Sequence, residues 1–102
     1  MPLIIIEFEV GNTEHALQVM ESNTDTLERV TQQARAQGAL HHQFYADPAG
    51  QIMVAVDDWS SEADFRKFFT ENAEIADIMA QVGVRREPKI TVLEPMKAPG
   101  TF

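Results

Sequence analysis

Between Gln51 and Pro95 the hydrophobic period switches from two to about 3.6 and back, and this constrains the fold more than any other feature. Gln51 to Trp59 reads as a strand that ends on the only tryptophan of the chain. Ser60 or Ser61 then caps a helix in which Phe65, Phe68 and Phe69 fall at i, i+3 and i+4. Ser61 with Asp64 resembles a capping box that uses aspartate in place of glutamate. Asn72 starts a further helix, where Ile75, Ile78, Met79 and Val82 make one apolar stripe before Gly83 stops it. Lys89 to Glu94 closes as a strand.

The N-terminal half follows the same plan. Leu3 to Val10 is β-branched and aromatic and ends at Gly11-Asn12, as a strand does. Alternation puts Leu3, Ile5, Glu7 and Glu9 on one face, and Ile4, Ile6, Phe8 and Val10 on the other. Thr13 to Met20 reads as a short helix with Ala16, Leu17 and Met20 on one stripe, broken at Ser22-Asn23-Thr24. A second helix, Asp25 to Gln37, carries Leu27, Val30 and Ala34 and stops at Gly38. Ala39 to Ala46 is a strand joined to the next by the turn Asp47-Pro48-Ala49-Gly50. The order β-α-β-β-α-β, with each α position split in two, predicts an α+β, ferredoxin-like antiparallel sheet with helices on one face. Residues 1–95 form this domain and residues 96–102 an irregular tail. The helices cover one face only, yet three strands offer apolar residues on both, so a homodimer through the free sheet face is expected.

Charge and composition narrow the function. A chain of 102 residues is one domain with a modest core. Its net charge of -8 repels phosphate backbones and anionic membrane surfaces, so neither nucleic acid nor membrane is expected as a partner. The absence of cysteine excludes disulfides, thiolate metal sites and thiol nucleophiles together. The N-terminal apolar run is too short to span a bilayer and lacks a basic leader, so the expected location is cytoplasmic. No phosphate-binding loop, nucleophile elbow or HExxH motif occurs.

The strand ending in DDW, the following SSEADFRKFF helix and the segment AEIADIMAQVGV before a proline-led strand resemble the antibiotic biosynthesis monooxygenase-like superfamily. The resemblance runs from Leu3 to about Pro95 and implies a dimeric α/β barrel. It also implies a pocket between sheet and helices for a small apolar, aromatic or polyketide-like ligand. Members include cofactor-independent oxygenases, haem-degrading enzymes and isomerases. Haem-degrading members place an axial histidine on the helix after the tryptophan strand; no histidine follows His42 here, so no haem is expected, and the resemblance to the cofactor-independent oxygenases implies no other cofactor. In the oxygenases asparagine, tryptophan, tyrosine and arginine surround the pocket. Trp59 matches the tryptophan, and Glu7 stands near the position of a polar asparagine.

His41 and His42 are neighbours in a strand, so they point to opposite faces and chelate a metal poorly. With a four-residue turn, Ala46 faces Gln51 and His42 lies opposite Ala55, diagonal to Asp57, with Phe44 and Met53 on the same face. A histidine held by a carboxylate beside Trp59 could accept a phenolic proton. That assigns His42 as base and Asp57 as its orienter. Trp59, Phe44, Met53, Phe65 and Phe69 then form the ligand walls, and Glu7 a second polar contact. The plainer alternatives are a sheet histidine with a local partner, and aromatic rings that only fill the core. Glu7 and Glu9 share a face, but two carboxylates make too thin a ligand set, and no metal site is expected. Three functions follow in order: a cofactor-independent monooxygenase, a non-catalytic binding or interaction dimer, and an isomerase- or cyclase-like enzyme.

Overall fold

A computed structural model describes all of residues 1–102. Four strands, β1 (Leu3–Glu9), β2 (Ala39–Ala46), β3 (Ile52–Trp59) and β4 (Lys89–Leu93), pair antiparallel in the order β2-β3-β1-β4. Four helices, α1 (Thr13–Ser22), α2 (Thr24–Gln37), α3 (Glu62–Glu71) and α4 (Ala73–Val82), cover one face. This is the ferredoxin-like arrangement that the periodicity predicts. Residues 94–102 have no regular secondary structure. No helix is long and apolar enough to cross a membrane.

Each helix begins and ends for a local reason. Asn12 caps α1 by accepting from the His15 amide (2.9 Å), and Asn72 caps α4 by accepting from Glu74 and Ile75 (3.0 and 3.2 Å). The cap of α3 is Ser61, which accepts from the Asp64 amide (3.1 Å). The returning half of the expected capping box is absent, because the Asp64 carboxylate instead accepts from the Ser60 hydroxyl at 2.8 Å. Gly83 stops α4 in the left-handed region (φ 81°), where a side chain would be strained. Asn23 separates α1 from α2; its amide group donates back to Val19 and across to Gln81 on α4. Arg29–Glu74 and Gln33–Asn72 add further polar ties between α2 and the start of α4.

The core follows from strand alternation. Ile4, Ile6, Phe8 and Val10, with Ala55 and Trp59, are buried against Phe65, Phe68, Ile78 and Val82. Burying these side chains contributes about 1.5–3 kcal/mol each before the cost of ordering them. On α1 the buried residue is Ala16, with Val19 and Met20 packed beside it. Leu17, placed on that stripe by its spacing, is exposed, because α1 meets the core on the 16–19–20 side. Leu3, Ile5, Val54 and Val56 occupy the opposite sheet face and are only partly buried.

The β2–β3 register departs from expectation by two residues. Ala46 pairs with Met53 rather than Gln51, and the loop runs over Pro48–Gln51. Asp47 causes the shift. Its backbone amide donates to the Ile52 carbonyl (3.1 Å), while its carboxylate accepts from the Gln51 and Ile52 amides (2.8 and 2.9 Å). The residue thus joins the ladder while still opening the expected turn, in which its carbonyl accepts from the Gly50 amide at 3.0 Å. Because side-chain direction has a period of two, a shift of two leaves every face unchanged.

Candidate functional site

In this register His42 sits directly across from Asp57 instead of diagonal to it. Asp57 is the only buried polar or charged residue of the chain, 6% exposed. A buried carboxylate needs partners, and this one has two. Oδ1 lies 2.5 Å from Nδ1 of His42, and Oδ2 accepts from the Trp59 indole N–H at 3.2 Å. An ionised carboxylate can only accept hydrogen bonds, so it holds the His42 proton on Nδ1. Nε2 then carries the free lone pair and has no hydrogen-bond partner within the protein. The His42 side chain is 42% exposed, so the relay runs from a buried indole through a buried carboxylate to a half-exposed imidazole.

Aromatic packing fixes both ends of this relay. The Trp59 ring meets Phe65 edge-on (centroids 5.6 Å apart, 71°) and lies tilted on Phe68 at 5.4 Å. Phe69 stacks on Phe65 at 5.5 Å, and Phe44 meets the His42 ring edge-on at 4.5 Å. The backbone amide of Trp59 donates to the Pro2 carbonyl (3.2 Å), tying the end of β3 to the start of the chain.

Between these groups and the helices lies a cavity of about 400 Å³, within the range of small-molecule sites. Nineteen of its 24 lining residues are hydrophobic, so it suits an apolar body with few polar contacts. His42, Asp57, Trp59, Phe44, Met53, Phe65 and Phe69 all line it. Its exposed members are Thr31, Arg35, Leu40, His41 and His42, so the mouth lies between α2 and β2.

Glu7 is not among the lining residues. It projects from the other face of the sheet, where its carboxylate lies 3.8 Å from the Lys89 ammonium, and its assignment as a polar contact of the cavity is corrected accordingly. The alternation of β1 is the reason: Ile6 and Phe8, not Glu7, face the helices. His41 pairs with Asp58 across the strands but reaches the mouth as well, through the irregular pairing between Ala39 and His41. Arg85 and Arg86 stay away from the cavity; Arg86 bonds Glu9 at 3.1 Å, and Arg85 covers Gly11. No group of three or more acidic or histidine side chains could hold a metal ion.

Two polar lining residues escaped the sequence reading, Thr31 and Arg35. Each directly follows a residue of the α2 apolar stripe, Val30 and Ala34, and helix geometry puts such flanking positions at the edge of a buried face. That spacing was the available signal.

No family model matches this sequence, and no curated protein does. Solved structures do match in shape. One is a monooxygenase from the gene ActVA-Orf6 of Streptomyces coelicolor, in complex with the ligand nanaomycin D. It is 22% identical with a TM-score of 0.72, over 95% of this chain and 88% of that one. The fold is that of the antibiotic biosynthesis monooxygenases. SnoaB, a cofactor-independent oxygenase from Streptomyces nogalater, shares it at 10% identity and a TM-score of 0.62, over 98% and 96% of the two chains. So does a dimeric ferredoxin-like protein from an uncultured marine organism, at 10% identity and 0.66, over 97% and 92%.

Proposed function

We propose that this protein is a cofactor-independent monooxygenase acting on an aromatic, polyketide-like phenol or hydroquinone. The observation that carries the reading is the buried Asp57, holding both His42 and Trp59 at one wall of an apolar cavity. A purely structural cluster would not need an imidazole with a free Nε2 at the mouth. The similar shape of two oxygenases supports the same reading.

In this chemistry the substrate supplies all four electrons that reduce dioxygen. Nε2 of His42 removes a phenolic proton, and the imidazolium that forms is stabilised by the Asp57 carboxylate. The electron-rich phenolate passes an electron to dioxygen, and a carbon–oxygen bond forms at the activated ring carbon. Cleavage of the oxygen–oxygen bond leaves one atom on the product and releases the other as water. For a hydroquinone the balance is hydroquinone plus dioxygen giving hydroxyquinone plus water. The aromatic walls exclude bulk water and hold the ring.

The catalytic unit is proposed to be a homodimer joined through the sheet face that bears Ile5, Val54 and Val56. Partly exposed apolar residues there, and the dimeric state of one protein of the same shape, support it.

Incubation of the purified protein with a model hydroquinone, with and without air and with no added cofactor, tests the function. The expected result is hydroxyquinone formation in air alone, reduced about 10²–10⁴-fold by His42→Ala. Equal product from wild type and variant would contradict the assignment of His42. Acid–base turnover of the substrate without oxygen uptake would favour an isomerase instead.

A further inference from the structure

Arg35, in the last turn of α2, is the only arginine or lysine lining the cavity, and it has no partner within the protein. Four other cations of this acidic chain are neutralised locally, and Lys67, Arg85 and Lys97, which like Arg35 have no acidic partner, lie away from the cavity. Arg29 on the same helix bonds Glu74, Arg66 bonds Glu62, Arg86 bonds Glu9, and Lys89 lies by Glu7. The cavity itself offers Arg35 no free anion. Its single carboxylate is Asp57, and both oxygens are taken, by His42 and Trp59. One turn earlier on the same edge of α2, Thr31 lines the cavity with its hydroxyl also unpartnered. The mouth therefore carries one fixed cation and one hydroxyl on α2, facing the imidazoles of His41 and His42 on β2, and the interior is apolar apart from the satisfied Asp57.

We propose that Arg35 is an anion-binding group at the cavity mouth, so that the ligand is an aromatic molecule carrying a carboxylate. A guanidinium presents two parallel N–H donors that match a carboxylate, and Thr31 adds a third donor on the same edge. A single cation in a chain of net charge -8 suits a monoanion better than a doubly charged phosphate ester. With the carboxylate at Arg35, the ring extends inward along His42 and Phe44 towards Trp59. This sets the ring's direction of entry and brings a hydroxyl on it to Nε2 of His42. Arg35 is thus a specificity-determining residue, separate from the base.

The inference rests on reading the cavity as a ligand site, and one titration tests the two separately. The sole indole N–H resonance, that of Trp59, reports occupancy of the cavity in a ¹⁵N-labelled protein. The probes are 2-naphthoate and 2-naphthamide, which share a ring system and differ in charge. Wild type is expected to bind naphthoate roughly ten-fold more tightly than naphthamide. Arg35→Gln should erase that difference by weakening naphthoate alone, and Arg35→Lys should restore part of it. If Arg35 serves only as a positive charge at the carbonyl end of α2, Arg35→Gln will lower stability but leave the binding ratio unchanged. That ratio, or equal binding of the two probes by wild type, would overturn the proposal while leaving the cavity reading intact. If neither probe moves the Trp59 resonance at millimolar concentration, the cavity reading fails and the proposal falls with it.

Discussion

At the scale of single residues, Asp57 links the fold to the proposed chemistry. Its two oxygens hold the proposed base and a cavity wall at once, so a change there should affect stability and turnover together. Asp57→Asn keeps the volume but replaces one acceptor oxygen with a donor amide. Either His42 loses the group that holds its proton on Nδ1, or Trp59 loses its acceptor. We expect a loss of about 1–3 kcal/mol in chemical denaturation, from imperfect partners left in a buried site. We also expect a fall in kcat of about 10²–10⁴-fold with little change in KM, since both Asp57 oxygens are engaged by His42 and Trp59 rather than offered to a ligand. Loss of stability with kcat unchanged would make Asp57 a structural residue only. The sequence led to Asp57, His42 and Trp59 because strand alternation has a period of two, and a register error of two residues preserves it. It misassigned Glu7, because resemblance by position outweighed an alternation that already set Glu7 beside Leu3 and Ile5. It missed Arg35 because a residue flanking a stripe is polar by pattern and cavity-lining only by packing.

At the scale of elements, the β2–β3 hairpin is set by Asp47. The backbone amides of Ile52 and Gln51 hold its carboxyl below the usual carboxylate range. Across the helix layer, the hydrogen bond and charge of Arg29 lower the Glu74 carboxyl in the same way. Both groups bind protons more weakly folded than unfolded. Their stabilisation is therefore fully present above the unfolded pKa, about 4, and is lost as pH falls through the lower folded value. Urea midpoints measured between neutral pH and pH 3 should fall on acidification, and less steeply in Asp47→Asn than in wild type. Parallel curves for the two proteins would show that this loop does not contribute to acid sensitivity. Helix boundaries were legible because Asn12, Ser61, Asn72 and Gly83 are strong local signals. The turn at Asp47–Gly50 was legible but the register was not, because Asp47 serves the turn and the ladder at once, and only the cross-strand partners show that it also pairs.

For the whole molecule, the proposed dimer rests on the sheet face opposite the helices. Ile5, Val54 and Val56 lie partly buried at its centre, and Tyr45 and Leu93 are exposed towards its edges. A stable interface buries about 1,200–2,000 Å² in total, which a four-stranded face of this kind can supply. Val56 points away from the core, so Val56→Arg should leave the fold intact while placing two like charges across the interface. Sedimentation velocity at tens of micromolar is expected to show a dimer for wild type and a folded monomer for the variant. A monomeric wild type, or a variant of unchanged mass, would contradict the proposed assembly. The ferredoxin-like order was legible from periodicity alone, because each element carries its own period and its own stop. The cavity was expected only from the family resemblance and not from periodicity, since it arises from how far apart the sheet and α2 sit, which no single element encodes.

The most direct test asks whether His42 takes a proton from a phenol bound in this cavity. A phenolic substrate is mixed with the protein under strict exclusion of oxygen, and the absorbance of the phenolate is recorded. A phenolate band is expected with wild type and not with His42→Ala, and it should decay to oxygenated product when air is admitted. No band with wild type, or an equal band with His42→Ala, would contradict this role of His42.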